Sequence, residues 1–414
     1  MEELHVELEG GRGRIEGRFD PRFAAVAKEF ERNFRERDEV GASLCIQLGG
    51  ETVVDLWGGL AKRTEPVPWD RDTVCTVFSA TKGATAMCAH ILASRGQLDL
   101  DAPVADYWPE FATNGKERAT VRMILDHSVG VPTWREPLKD KGCTDWDYMT
   151  GRLAAEAPWW EPGTRNGYHM ISFGWTVGEL VRRVSGKSLG TFFREEIGEP
   201  LGADFWIGAP ADVRERVAPV IQFIPPKDEE PAEFGAAILA DRQSLQSLAL
   251  FNQGGFNPND PECQAAEVGG GGGIGNGRSL ATIYSPFAAG GTLNGREFVD
   301  RRTLARMARV STATNSDATL LLPTRWGLGF MRSMDNRRRP NGAKDSAILG
   351  EHAFGHVGAG GSIGFADPSE ALSFGYAMNR MGPGILLNER GQSLVDATYL
   401  ALGYSGNETG DWVR

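Results

Sequence analysis

Strand-like runs lie at the two ends of this chain and helical ones between them, and that distribution most narrows what it can fold into. Near the start, Ser43 to Leu48 and Thr52 to Trp57 are joined through Gly49-Gly50, which reads as a β-hairpin. At the far end, Trp326 to Met331, Ala353 to Val357, Ser362 to Ala366 and Leu372 to Met378 are strand candidates separated by glycine or proline turns. From Ser79 to about Gly277 the signals are helical: Ala84 to Ala93, Val121 to Leu125, Phe173 to Val184, Leu189 to Ile197 and Leu245 to Phe251. Long loops such as Ile224 to Glu233 and Gly254 to Pro261 connect them. Asp20-Pro21 reads as the start of a terminal helix, with Phe23, Ala27, Phe30 and Phe34 on one face, and Gln392 to Leu402 as a helix closing the chain. The simplest architecture is an α+β layer arrangement, an antiparallel sheet flanked by the terminal helices with a mostly helical insert. Residues 1–78 and 278–414 would form a discontinuous sheet domain and 79–277 the helical one, with the active site at their interface. No repeat of 20–50 residues is visible, which argues against a solenoid or propeller.

A chain of 414 residues can bury several large cores. Its 44 Lys and Arg against 55 Asp and Glu give a net charge of -11, which repels phosphate backbones and anionic lipid. Nucleic acid and membrane surfaces are therefore not expected partners. Cys45, Cys75, Cys88, Cys143 and Cys263 are scattered and form no Cys-x-x-Cys pair, which suits a reducing compartment. The N-terminus is acidic without an apolar core, unlike a secretory signal, and no run of about 18 apolar residues could span a bilayer. The expectation is a cytoplasmic protein, with a homo-oligomer left open.

The stretch Thr76-Val77-Phe78-Ser79-Ala80-Thr81-Lys82-Gly83 runs from apolar residues into a good helix. Three residues apart in a first helical turn, Ser79 and Lys82 project from one face. Serine is a weak nucleophile until a neighbour takes its proton, and a lysine can do so if burial lowers its pKa. Alone, the pair also fits a capping serine beside a surface lysine. Two further segments bear on it. Glu161 to Met170 is a turn-rich loop carrying Tyr168, and Gly355-His356-Val357-Gly358-Ala359-Gly360-Gly361-Ser362 is a strand with small residues where a substrate can pass closely.

In this order the three segments resemble the serine β-lactamase and penicillin-recognising superfamily, and more narrowly the β-lactamase-related (family VIII) carboxylesterases. Leu56-Trp57-Gly58-Gly59, Leu98 to Val104, Ile124 to Gly130, Glu199-Pro200-Leu201-Gly202 and Trp326 to Phe330 extend the likeness over most of the chain. The resemblance implies a β-lactamase-like fold, with Ser79 as the acylated nucleophile. Lys82 and Tyr168 would share proton transfer, and the backbone N–H groups of Ser79 and Ala359 would form an oxyanion hole. No metal or other cofactor is implied.

The chain departs from antibiotic-hydrolysing relatives at two places. Met170 stands where they carry Asn or Ser, and His356-Val357-Gly358 where they carry Lys-Thr-Gly. The fixed cation that attracts a β-lactam or peptide carboxylate is missing, and a histidine with an ordinary pKa near 6.5 is mostly neutral at pH 7. Small uncharged esters are the expected substrates, with His356, Gly358 and Met170 beside them. Trp134, Trp146, Trp159, Trp160 and Trp175 crowd the insert; Trp134 and Trp160 are read as an apolar substrate wall, ordinary core packing being equally open. The expected activity is ester hydrolysis through an acyl-enzyme. Alternatives are acyl transfer, weak β-lactamase or D-aminopeptidase activity, or an acylated sensor that does not turn over.

Several patterns are set aside. Gly360-Gly361-Ser362-Ile363-Gly364 matches a nucleophile elbow, but no histidine follows it. Gly186-Lys187-Ser188-Leu189-Gly190 matches too, but lies in a turn between helices. Gly270 to Gly275 lacks the βαβ context of a dinucleotide site and reads as a flexible loop before a helix capped near Ser279. His352 and His356 lack a third metal ligand. His90 and His127 read as packed or capping side chains.

Overall fold

A computed structural model describes residues 1–226, 230–340 and 343–414. In chain order the strands of its main sheet are β1 (Glu2–Glu7), β2 (Arg14–Phe19), β3 (Gly41–Leu48), β4 (Glu51–Lys62), β5 (Phe354–Val357), β6 (Ile363–Asp367) and β7 (Leu372–Met378). They pair antiparallel in the order β1-β2-β4-β3-β7-β6-β5, and the short strand Val67–Pro68 adds to β4. The two chain ends meet at β3, where Leu44 lies opposite Leu56 on one side and Tyr376 on the other. Gly49 and Gly50 turn the β3–β4 hairpin with φ of 58° and 86°, the left-handed values a two-residue turn requires.

Almost all of β3 is buried, because each of its faces is covered. Leu44 and Ile46 share an apolar core with Phe23, which caps the first helix (α1, Ala24–Glu36), with Phe30 and Phe34 on it, and with Leu394, Val395 and Tyr399 of the last. The Asp20 carboxylate accepts a hydrogen bond from the Arg22 N–H, and Pro21 opens a 3₁₀ turn ahead of α1. Ser43 faces the opposite way, and its hydroxyl accepts from the Gly277 N–H at 2.9 Å. There a helix over Gly277–Ala288 lies so close to the sheet that a Cβ on Gly375 would stand 2.1 Å from the Gly277 carbonyl oxygen. Only glycine permits that approach.

The middle of the chain is largely helical. The helix following Ser79 (α2, Thr81–Ser94) is buried from Thr81 through Leu92 and packs against α3 (Ser172–Ser185). A helix apolar on all sides needs such a surround. Val121–Leu125 and Leu245–Phe251 form at the expected bounds. The remaining helices of the layered frame are α4 (Gly277–Ala288) and α5 (Glu389–Ala401). Among the described residues no helix is long and apolar enough to cross a membrane.

Some local expectations are corrected. β1 and β2 precede the first expected element. The run Trp326 to Met331 is a strand only over Thr324–Trp326, since Gly329, with φ of 85°, turns the chain. Leu189 to Ile197 is a short helix, Leu189–Phe193, followed by one wide π turn over Arg194–Gly198. α4 is capped by the Asn276 side chain, which accepts from the Ser279 N–H, so it starts two residues before Ser279. Within the expected loop Ile224 to Glu233, residues 227–229 lie outside the described residues, and a helix begins at Glu233. The cysteines are buried free thiols, and Cys143 and Cys263 bring their Sγ atoms to 3.7 Å.

Candidate active site

The segment before Ser79 is clamped from two sides. Cys75–Thr76 pairs with Ile274–Gly275, and the Val77 N–H donates to the Gly273 carbonyl at 2.9 Å. On the other side the Ser362 hydroxyl donates to the Val77 carbonyl at 2.9 Å, and a Cβ on Gly358 would stand 2.1 Å from that same oxygen. The clamp forces Phe78 into a left-handed φ of 47°. An aromatic residue there stores about 1–3 kcal/mol of strain. The Thr81 hydroxyl holds the turn by donating to the Phe78 carbonyl at 2.5 Å while accepting from the Gly273 N–H at 2.8 Å. Ser79 is thereby presented at the opening of a helix, where the first N–H groups lack intrahelical acceptors.

Lys82 is fully buried, one turn below Ser79. Its Nζ lies 3.1 Å from Ser79 Oγ, 2.5 Å from the Met170 carbonyl and 2.6 Å from the Gly270 carbonyl. Burial pushes the ammonium pKa well below the ordinary lysine value. Nζ also sits 4.7 Å from the centre of the Tyr168 ring. Burial raises the Tyr168 phenol, Asp317 adds to the rise, and a hydrogen bond with Ser79 opposes it. Burial therefore favours the uncharged form of both the amine and the phenol that stand beside the Ser79 hydroxyl.

Tyr168 is positioned by groups remote in sequence. Its ring stacks on Trp326 at 5.2 Å with an interplanar angle of 6°, and His127 and His356 stand at 5.1 and 5.9 Å. Its backbone N–H donates to Asp317 Oδ1 at 2.9 Å, as do those of Thr319 and Leu320. Beside Ser79 opens a cavity of about 350 Å³ whose wall includes Phe78, Met170, Phe234, Phe256, Met331 and Ala359. Ser79 and Tyr168 reach it from the helical stretch, Val357 and Ala359 from the end of β5. Among the described residues the Ala359 N–H donates to no other backbone group, which leaves it free for a ligand oxygen.

The sequence profile of the beta-lactamase family matches residues 29–396. The chain belongs to the beta-lactamase family. It is a serine hydrolase. It is 37% identical to the esterase/beta-lactamase LipL of Mycobacterium tuberculosis over 383 residues, 91% of this chain and 85% of that protein. A crystallised family VIII carboxylesterase superposes with a TM-score of 0.81 at 38% identity, over 94% of this chain and 99% of the other. A penicillin-binding protein homologue from Caulobacter crescentus gives 0.81 at 35% identity, over 94% and 99%.

Within this beta-lactamase-family site, the structure gathers Ser79, Lys82, Tyr168, Met170 and Ala359. Met170 contributes twice, lining the cavity and accepting from Lys82 through its carbonyl. Other expected residues fall elsewhere. His356 lies behind Tyr168, buried, its Nδ1 bonded to the Val357 carbonyl at 2.8 Å. Gly358 spaces β5 against Val77 instead of lining the cavity. Trp134 is buried edge-on to Trp175 at 6.0 Å, and Trp160 donates from its indole to the Ser128 carbonyl at 3.0 Å. Neither lines the cavity; Phe78, Phe234 and Phe256, with Tyr168, are the aromatic residues that do. The glycine run expected as a flexible loop is buried, and it supplies the Gly270 carbonyl to Lys82.

The set-aside patterns have structural explanations. Ser362 braces Val77, and Ser188 caps the helix Leu189–Phe193. Among the described residues no group of three or more His, Cys, Asp or Glu could hold a metal ion. His90 packs on Phe330 at 5.8 Å, and His127 accepts from the His169 N–H at 3.2 Å.

Asp317 is a site residue that sequence reading missed, and no local pattern marks it. Its buried carboxylate faces three backbone donors, together with the Asn166 amide at 3.4 Å and the Thr324 hydroxyl at 3.3 Å. Asp317→Ala removes the acceptor that fixes the Tyr168 backbone, and a displacement near 1 Å costs about 10²-fold in rate. The expected result is a fall of that size in kcat with KM little changed, read from steady-state ester hydrolysis. An unchanged kcat would contradict the positioning role.

Proposed function

We propose that the chain hydrolyses small uncharged carboxylic esters through an acyl-enzyme on Ser79, with Lys82 as the base and Tyr168 as the proton donor to the leaving alcohol. The observation that carries this reading is the environment of Lys82 Nζ. It has two carbonyl acceptors and one hydroxyl, and among the described residues no carboxylate bonds to it. A neutral amine has two N–H bonds and one lone pair, so the carbonyls of Met170 and Gly270 take the N–H groups and the lone pair faces Ser79.

Ser79 Oγ attacks the ester carbonyl carbon as its proton moves to Lys82 Nζ. The negative oxygen of the tetrahedral intermediate takes the N–H groups of Ser79 and Ala359, and such a donor typically contributes about 10²–10³ in rate. Tyr168 gives its proton to the departing alkoxide, the C–O bond breaks, and the proton on Lys82 passes to the phenolate. Water then attacks the acyl carbon and gives a proton to Lys82. The proton returns to Ser79 Oγ as the carboxylic acid leaves.

The preference for uncharged esters rests on the cavity wall, which among the described residues has no lysine or arginine. Burial, with the nearby Lys82, lowers the His356 imidazole to about 3, so it is neutral where a cation would be needed to hold a carboxylate. Losing a charge-assisted hydrogen bond costs about 1.5–3 kcal/mol. Accordingly kcat/KM for p-nitrophenyl butyrate should exceed that for benzylpenicillin by at least about tenfold. The decisive experiment is labelling with a fluorophosphonate, followed by peptide mapping while turnover is recorded. The adduct is expected on Ser79, with activity falling in step; an adduct on another residue would overturn the assignment.

A further inference from the structure

Two helices at the cavity carry an apolar surface that the fold leaves uncovered. Helix Glu233–Ala240 (EFGAAILA) has no buried residue, although all but its first residue are apolar or glycine. It neighbours helix Leu245–Phe251. Leu239 is 76% exposed, Phe251 70%, and Ile224, on the segment before them, 83%. An apolar helix is ordinarily buried, and large apolar side chains exposed on two neighbouring helices mark a surface that meets something apolar.

The same helices build the cavity wall. Phe234 and Leu250 line the space beside Ser79, while Leu239 and Phe251 lie on the same two helices outside it. The apolar strip therefore runs from the reacting serine to solvent. Its charge pattern narrows the occupant: the two helices hold a single charged side chain, Glu233, which is tied to Arg339 at 3.3 Å. Asp241 and Arg242 on the link between the helices carry opposite charges, so with a net charge of -11 the chain is repelled by anionic bilayers, whereas a strip without excess charge fits uncharged lipid. A second copy seated there would cover the rim that Phe234 and Leu250 share with the cavity.

We propose that this strip docks the chain on the surface of aggregated neutral esters, such as acylglycerol droplets, and passes an ester arm past Leu250 and Phe234 to Ser79. The inference rests on the esterase reading and extends its substrates from dissolved small esters to interfacial ones. The test is tributyrin hydrolysis followed through its solubility limit, for the parent chain and for a Leu239→Ser/Phe251→Ser variant, whose changes are exposed and outside the cavity wall. The parent rate should rise several-fold above the limit. The variant should keep the rate on dissolved tributyrin and lose the rise. In parallel, Ser79→Ala protein should co-float with the droplets, and the same protein carrying both serine changes should not.

A rate that saturates smoothly through the limit, or a rise unaltered in the variant, would overturn the proposal. So would a variant that converts a dimer to a monomer by light scattering while droplet binding persists, since the strip would then be a contact between copies. If dissolved tributyrin is not cleaved at all, the esterase reading fails, and the droplet assay still decides the docking surface.

Discussion

Ser79→Ala is expected to lower kcat on p-nitrophenyl butyrate by about 10⁶, the scale seen when a serine nucleophile is removed from a hydrolase whose residues act as a unit. No other hydroxyl can take over. The Tyr168 phenol is held protonated by burial, and Ser362 is committed to the Val77 carbonyl. Because Lys82 acts on the proton of Ser79, the two losses should not add, and Ser79→Ala/Lys82→Met should be no slower than Ser79→Ala alone. Ser79 is only partly buried, so the change should move stability by no more than about 0.5 kcal/mol. Single-turnover rates on both variants, with urea melts beside them, test this. A double variant markedly slower than the single one would place Lys82 in a separate role.

Periodicity carried much of the fold, since the same burial that stabilises an element writes its period into the sequence. Phe23, Ala27, Phe30 and Phe34 all turn inward on the first helical segment, and Leu372–Met378 runs as the expected strand. β1 and β2 escaped because the pairing of a half-exposed edge depends on a partner strand more than on its own residues: Leu4 and Val6 alternate with Glu3, His5 and Glu7, and β1 pairs with β2 alone. At the site, Ser79, Lys82 and Tyr168 were legible as residue types whose chemistry needs one another. Asp317 was not, because it acts through a backbone N–H 149 residues away, and any residue at position 168 would offer that donor. The left-handed turn at Phe78 was equally hidden, being imposed by Gly273 and Gly358 from distant segments. The tryptophans misled for a different reason. Crowding along the chain marks a local core, and Trp134 found Trp175, whereas the cavity wall draws Phe78, Phe234 and Phe256 from separate segments.

Lys82→Arg is expected to lower kcat by about 10³–10⁴, although it supplies a fixed cation and more than enough donors for the Met170 and Gly270 carbonyls. A guanidinium cannot give up a proton in a protein, so it cannot receive one from Ser79. If Lys82 served only as a positive charge, arginine would retain most of the activity; that result would remove the base assignment. Lys82→Met separates function from stability. In the folded chain burial holds the Lys82 pKa below its unfolded value of 10.5, so between the two values the unfolded state binds more protons than the folded one. Stability then rises with pH across that window, by at most about 1.4 kcal/mol per pH unit for one proton. The methionine variant lacks this dependence. Wild-type protein should therefore be the less stable of the two at neutral pH and gain on the variant as pH rises towards 10.5. Two lost hydrogen bonds, each worth about 1 kcal/mol, offset part of the variant's advantage equally at every pH, so the slope is the quantity to measure. Parallel slopes from pH 6 to 10 would mean that Lys82 is charged in the folded chain and has no lone pair for Ser79. A wild-type slope steeper than the variant's would mean that the amine poised for catalysis is one that the fold keeps at a cost to its own stability.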